Sequence, residues 1–426
     1  MAKKILIWKD VSKGGDLDIF YNMDYSTICH DVKTRFNDIC PNWGNKLWFQ
    51  GLISAIQSDE NILTFRTNEN IDFINNNYDL IIYPMANFFG TDYKNNMYSL
   101  AETFQQIKIP TYIIACGAQA NSYDDLNNLI KDIGEPAKHF ISSIYETGGE
   151  FALRGHFTKQ FFDELGFHSA VVTGCPSMFQ LGRDFKITNI KVSEKDFKPC
   201  FNGKISLLDS SIEKFDTYYF DQDNYFYKIY DSTYDVKTDY KSLLRYYRHE
   251  TMYSIKLLAE NKIAHIPNLN QWRSFLKNGN FNYSFGSRIH GSIMAILAGV
   301  PATVVAVDTR TKEMADFFDI PYIMPKRNVK YSNKDIYQNY LNADFKKFNA
   351  TFAEKFDFYE NFFIQHDIVK SVNQSNEFFK DDVMSTDFLN YSVNTEKFHQ
   401  LYNKLNKIKP LLAISNNILT LLKRFK

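Results

Sequence analysis

The chain has no excess charge of either sign: across 426 residues, 49 Lys and Arg offset 49 Asp and Glu. This excludes the broad basic field with which a nucleic-acid binder gathers phosphates, so any anionic ligand must be held by local groups. Cysteine is scarce. The five thiols, at 29, 40, 116, 175 and 200, are odd in number and show no CxxC spacing. That argues against a disulfide framework or a zinc cluster and fits a reducing cytosol. The opening "MAKKILIWKD" has an apolar run of only four residues, too short for the core of a secretory signal. No run approaches the roughly 18 apolar residues that span a bilayer. GxGxxG, P-loop and HExxH patterns are also missing, so the sequence supports neither dinucleotide redox chemistry nor nucleotide hydrolysis, and no metal or cofactor is expected.

Aromatic residues are plentiful, at 16 %, with 38 Phe and 27 Tyr. A chain this long can bury many of them in ordinary cores. Short apolar runs of strand length alternate with helical patterns: 4–8, 80–85, 111–118, 150–153 and 169–174, then 204–209, 262–267, 281–286 and 302–307. The runs are continuous, which predicts strands buried on both faces of parallel sheets. A polar stretch, 181–203, separates the two series and reads as a connection. The expected fold class is α/β, with two doubly wound domains over 1–185 and 186–330. Beyond them, 331–426 reads as a helical extension packed on the second domain. From Lys397 onward it carries seven Lys or Arg and no acidic residue, a docking helix or a basic segment for a membrane surface.

The most informative stretch is "SFGSRIHGSIMAILAGVPATVVAVDTRTKEM", 284–314. It reads as a strand end, an N-cap at Ser287, a short helix from about Arg288 to Leu297 stopped by Gly299 and Pro301, and a further strand. In such a βαβ unit ligands lie beyond the carboxyl ends of the strands. There the helix start, the planar fork of Arg288 and the space beside Gly291 describe an anion site, and His290 adds a group that can move a proton. Asp308, Arg310 and Glu313 stand at the neighbouring strand end. In the ordinary alternative, Arg288 pairs with Asp308 and His290 caps a turn.

A smaller copy occurs at "FALRGHFTKQFFDELGFHSAVVTGCPSMF", 151–179, with Arg154 at a strand end as a second candidate anion ligand. His156 and Cys175 read as structural there. Three loops add amides that could bind sugar hydroxyls or an anion: Asn42 and Asn45, Asn87, and Gln119.

These stretches resemble the polysaccharide pyruvyl transferase family. "SRIHGSIMAILAGVP" is similar to its carboxyl-terminal signature and "TGCPS" to its middle motif, while "PNWGNKLW", "YPMANFFG" and "IPTYIIACGAQA" are similar to its amino-terminal loops. The resemblance spans roughly 40–325 and implies a GT-B-like pair of Rossmann-type domains with the site between them, working in bacterial surface-polysaccharide assembly at the cytoplasmic face of the membrane. It implies a pyruvyl ketal carried from phosphoenolpyruvate to two hydroxyls of a lipid-linked or oligosaccharide acceptor. Arg288 and Arg154 would hold the donor, His290 would act as acid or base, and Asn87 and Gln119 would line the acceptor side. Two departures stand out: Asn45 occupies the place of an Asp common in the family, and "DTRTKE" replaces a shorter, lysine-containing turn. Transfer from a nucleotide sugar, with Asp308 or Glu313 orienting the sugar or acting as base, therefore stays open, as does a non-catalytic relative.

Overall fold

A computed structural model describes residues 2–8, 42–65, 70–222, 262–265, 269–326 and 329–372, with scattered positions at 253–260 and 396–407. Apart from those few positions, the basic segment from 397 lies outside the described residues.

The apolar runs build two sheets, parallel throughout. The first contains β1 (Lys3–Ile7), β2 (Asn61–Phe65), β3 (Leu80–Pro84), β4 (Asn87–Phe89), β5 (Thr111–Ala118), β6 (Glu150–Leu153) and β7 (Val171–Val172). Their order is β2-β1-β3-β5-β6-β7, with β4 paired to β5. The second contains β8 (Pro199–Asn202), β9 (Tyr218–Asp221), β10 (Ile263–His265), β11 (Tyr283–Gly286), β12 (Ala302–Val305) and β13 (Tyr322–Ile323), in the order β10-β9-β8-β11-β12-β13. Parallel neighbours need crossovers, and helices supply them. They are α1 (Trp43–Ile56), α2 (Ile71–Asn77), α3 (Lys94–Phe104), α4 (Leu126–Glu146), α5 (His156–Glu164), α6 (Leu269–Asn278), α7 (Ile289–Leu297) and α8 (Thr309–Phe318); α9 (Asn333–Asn342) and α10 (Lys346–Gln365) follow. All eight residues of β5, "TYIIACGA", are buried, as a strand covered on both faces requires. In α7 every residue after Ile289 is buried, so this helix sits inside the molecule.

One strand expectation is overturned. "KISLLD", 204–209, forms a single 3-10 turn at Ile205–Leu207 and an isolated bridge from Leu208 to Tyr331. The strand lies just upstream at β8, inside the stretch read as a connection. Its four residues, "PCFN", are all buried, but they are too few to stand out as an apolar run. The polar Asn202 at its end conceals it further.

Strand order fixes where a ligand can sit. In the second sheet it reverses between β8 and β11, so the crevice at this topological switch point opens beyond Asn202 and Gly286. The extension reaches back across both sheets. Phe179, in the 3-10 turn Pro176–Leu181, stacks on Tyr359 of α10 at 4.6 Å between ring centroids. Farther along, Phe362 and His366 pack on Tyr112 of β5, and Asn61 donates to the Ile368 carbonyl at 3.0 Å. No helix among the described residues is long and apolar enough to cross a membrane.

The Pro176–Leu181 turn also meets α1 closely at Gly51, where a Cβ would stand 2.4 Å from the Pro176 carbonyl oxygen. Backbone cannot yield there as a side chain could. Gly51→Ala should cost about 1–3 kcal/mol of stability, the range for overpacking, read as a lowered denaturant midpoint with an unchanged slope.

Candidate functional site

Four helix N-termini meet where the carboxyl edges of the two sheets face each other, and each presents backbone N–H groups and positive partial charge. At α1 the Asn42 side chain caps Gly44 N–H at 2.8 Å and accepts from Gln222 Nε2 at 2.9 Å. At α7 the cap position is Arg288, whose own N–H donates to Asn202 Oδ1 at 3.0 Å. At α5 the Thr158 N–H donates to Glu313 Oε2 at 3.0 Å, and its hydroxyl donates to the same carboxylate at 2.9 Å. At α8 Asp308 accepts from Thr311 N–H at 2.9 Å and from its hydroxyl at 2.6 Å, and pairs with Arg310. A hydrogen-bonded seam joins the edges: Thr309 N–H donates to the Ala120 carbonyl, and Ala120 N–H donates to Thr309 Oγ1 at 2.9 Å.

His290, in the first turn of α7, is 8 % exposed. A Cβ at Gly44 would lie 2.7 Å from its Cβ and 2.8 Å from its Nδ1, so only glycine lets α1 start this close. Its Nε2 is 3.8 Å from the Cys175 thiol. Burial, then the guanidinium charges of Arg154, Arg310 and Arg288, push its pKa down to about 3. The imidazole is therefore neutral at neutral pH.

Arg154 is 2 % exposed. Its Nη1 donates to Asn87 Oδ1 at 2.8 Å, whereas its Nε and Nη2 have no hydrogen-bond partner among the described residues. The backbone leading there is strained. Ala115 has φ +61° where β5 shifts register between Ile114 and Cys116, and the Cys116 carbonyl then accepts the Arg154 N–H at 3.0 Å. Burial raises the Glu313 carboxyl to about 7, against the lowering effect of Thr158 and Arg154. For Asp308 burial also acts upward, but Arg310 and the Thr311 bonds outweigh it and leave the acid below its ordinary value.

Arg154, Arg288, Arg310 and His290 thus form one electropositive cluster, with Asp308 and Glu313 at its border. Asn87 belongs to it as the support of Arg154. The other expected residues fall elsewhere. Ser287 does not cap α7: its hydroxyl accepts Lys204 N–H at 3.0 Å, because the β8 loop crosses directly over it. Glu313 is 1 % exposed and its carboxylate is taken up by Thr158. Asn45 is half-buried in the first turn of α1. Gln119 is exposed and lines a separate pocket beside Gly90. Asp308 pairs with Arg310, not in the Arg288–Asp308 pair of the ordinary alternative. The sequence reading missed Asn202 and Gln222, and it took Cys175 for packing alone. An Asn-Gly pair at the end of a buried strand was the available signal for Asn202; Gln222 and the Cys175–His290 contact span 180 and 115 residues and leave no local trace.

The polysaccharide pyruvyl transferase family profile matches residues 16–309. This chain belongs to the polysaccharide pyruvyl transferase family, and it is a transferase. The family match takes in Asn42, Arg154, Arg288, His290 and Asp308 and stops before Arg310 and Glu313. A search of curated proteins found no match. Among solved structures, the S. aureus MnaA–UDP co-structure is similar at 10 % identity, covering 87 % of this chain and 98 % of that one with a TM-score of 0.37, too loose a likeness to carry an argument.

The two buried titrating groups give this pyruvyl transferase family member opposite pH responses. His290 resists protonation when folded, so its contribution to stability is full above about 6.5 and is lost as pH falls toward 3. Glu313 resists ionisation, so its contribution is full below about 4.5 and is lost as pH rises through about 7. Chemical denaturation from pH 4 to 8 should give a flatter acid limb for His290→Gln than for the natural chain. Glu313→Gln should remove the decline between about 4.5 and 7.

Proposed function

We propose that the chain transfers the pyruvyl group of phosphoenolpyruvate to two hydroxyls of a sugar, as a ketal, in the assembly of bacterial surface polysaccharide. The observation that carries this reading is Arg154, a buried guanidinium with two nitrogens unpartnered among the described residues. A buried cation is costly unless paired, and a small dianionic or trianionic donor is the partner that suits it. Arg154 and Arg288 take the donor's carboxylate and phosphate. The start of α7 and Arg310, itself oriented by Asp308, add positive potential; the expected space beside Gly291 is filled by Asn202, against which a Cβ would stand at 2.8 Å, and the Ser287 hydroxyl is taken by Lys204. Glu313 stays at the border, holding α8 to α5.

The chemistry follows from charge. An anion among the guanidiniums offsets their share of the depression of His290, which adds to that of burial, so the imidazole can accept the proton of one acceptor hydroxyl and pass it to the donor's methylene carbon, which becomes the methyl group. The oxygen of that hydroxyl bonds to the neighbouring carbon. The second hydroxyl then displaces phosphate from the same carbon, and its proton leaves with the phosphate. Two C–O bonds form, one C–O bond breaks, and both hydroxyl protons are accounted for.

In this reading residues 1–185 and 186–330 are the two Rossmann-type halves of a GT-B-like enzyme, with 331–426 as a helical extension. The order β10-β9-β8-β11-β12-β13, which matches the 3-2-1-4-5-6 order of dinucleotide-binding sheets, supports it. Asn42, Asn45 and Gln119 belong to the acceptor side, and Asn87 positions Arg154. The enzyme would work in the cytoplasm, its basic segment 397–426 resting on the membrane. The same strand order favours one second reading, transfer from a nucleotide sugar. The bases that reading would use, Asp308 and Glu313, are engaged by Arg310 and by Thr158.

Phosphate release from phosphoenolpyruvate with a lipid-linked or synthetic oligosaccharide acceptor, set beside nucleoside diphosphate release from a panel of nucleotide sugars, decides between them. Turnover is expected with phosphoenolpyruvate alone. Arg154→Ala and Arg288→Ala should each weaken donor binding by at least about 2 kcal/mol, as for a lost charge-assisted contact. Undiminished donor binding in both variants would refute the anion site.

A further inference from the structure

A pocket of about 280 Å³ opens on the carboxyl edge of the first sheet, next to the seam at Ala120 but outside the arginine cluster. Its walls come from the loop after β4, the loop after β5 and the outer face of α4. Gln119 and Ala120 join it to the site: Ala120 is bonded to Thr309, the residue between Asp308 and Arg310. We infer that this pocket holds one ring of the acceptor beyond the ring that reacts, and that it selects an uncharged or amine-bearing sugar over an acidic one.

The lining carries this assignment. Tyr93, 39 % exposed as a residue, offers an aromatic ring backed by Phe88 at 5.9 Å between ring centroids. Leu129 adds an apolar patch to the wall. Around them stand the amides of Gln119, Asn121 and Asn128, which both donate and accept. An aromatic platform ringed by such groups suits a pyranose, apolar on its C–H face and hydroxylated at its rim. The volume is close to the small end of ligand pockets, about 300 Å³, and accommodates one ring, not a chain of them.

Charge sets the selectivity. Asp92, Asp125 and Asp132 line the pocket, and no Lys or Arg among the described residues does. Asp125 is partly committed, since it accepts Ser122 N–H at 3.2 Å. Carboxylates without cations repel a uronic acid or a phosphorylated sugar and attract an ammonium group. They equally repel the donor, so an anion entering between the sheets is turned toward the arginines.

The inference rests on the chain's being a sugar-accepting transferase and is independent of the donor. Its test is direct binding to the full chain without donor, by saturation-transfer NMR and titration. The probes are the trimers of glucosamine, N-acetylglucosamine and galacturonic acid, at low and high salt. The glucosamine trimer should bind at least about tenfold tighter than the galacturonic acid trimer at low ionic strength, with the gap narrowing as salt screens it. Asp92→Asn combined with Asp132→Asn should abolish most of that gap, while Tyr93→Ala should weaken the N-acetylglucosamine trimer by about tenfold. Equal binding of the acidic trimer, binding of no trimer, or variants that bind as the natural chain does would each overturn the assignment. Sugar binding that follows this pattern while phosphoenolpyruvate is not turned over would refute the donor and leave the pocket standing.

Discussion

The arrangement depends on the meeting of four helix N-termini and three guanidiniums between two sheet edges. Parallel sheets place their helix starts on the carboxyl side, so two such edges brought face to face concentrate positive potential in a buried space. The protein manages most of it internally. Asn42 and Asn202 cap two of the helix starts with neutral amides, while Asp308 and Glu313 serve the other two with carboxylates. What is left over falls on His290 and Arg154, one driven to its neutral form and the other left with donors to spare. Burial is the larger cause of the histidine's depression, and the guanidinium charges add to it; an anionic substrate would relieve that second part.

Glu313 plays a double part. It is a residue of α8 that fills the start of α5, so one side chain joins the helix layers of both sheets. Because burial brings its titration to about 7, this junction changes charge as pH passes through that value, whereas the carboxyl of Asp308 beside it is held below its ordinary value by Arg310 and Thr311.

Much of the fold was legible in the chain, and the reasons differ from element to element. β5, β11 and β12 are continuous apolar runs, and α7 is bounded by Arg288 and by Gly299, whose φ of +83° ends the helix as expected. β8 escaped because four residues ending in Asn do not form a pattern, and the apolar Ile205, Leu207 and Leu208 downstream imitate one. At the site, Arg154, Arg288 and His290 could be read because each stands at a strand-to-helix junction, where local grammar is strong. Gln222 and the Cys175 contact could not, because they exist only through tertiary packing. In the sequence Glu313 is a carboxylate near a strand end; its engagement by Thr158 of the opposing helix depends on tertiary packing and leaves no local sign.

The aromatic column through Phe179 has a mechanical consequence. Phe179 is only three residues past Pro176, in the same turn that follows Cys175, and it is wedged between Phe318 of α8 and the rings of Phe352, Phe356 and Tyr359 on α10. The thiol that touches His290 is thus anchored by a helix far along the chain, one that also leans on Tyr112 at its far end. Helix α10 works as a splint: it ties the turn that carries the Cys175 thiol to the first sheet at Tyr112, so the contact beneath the imidazole and the strand β5 share one support.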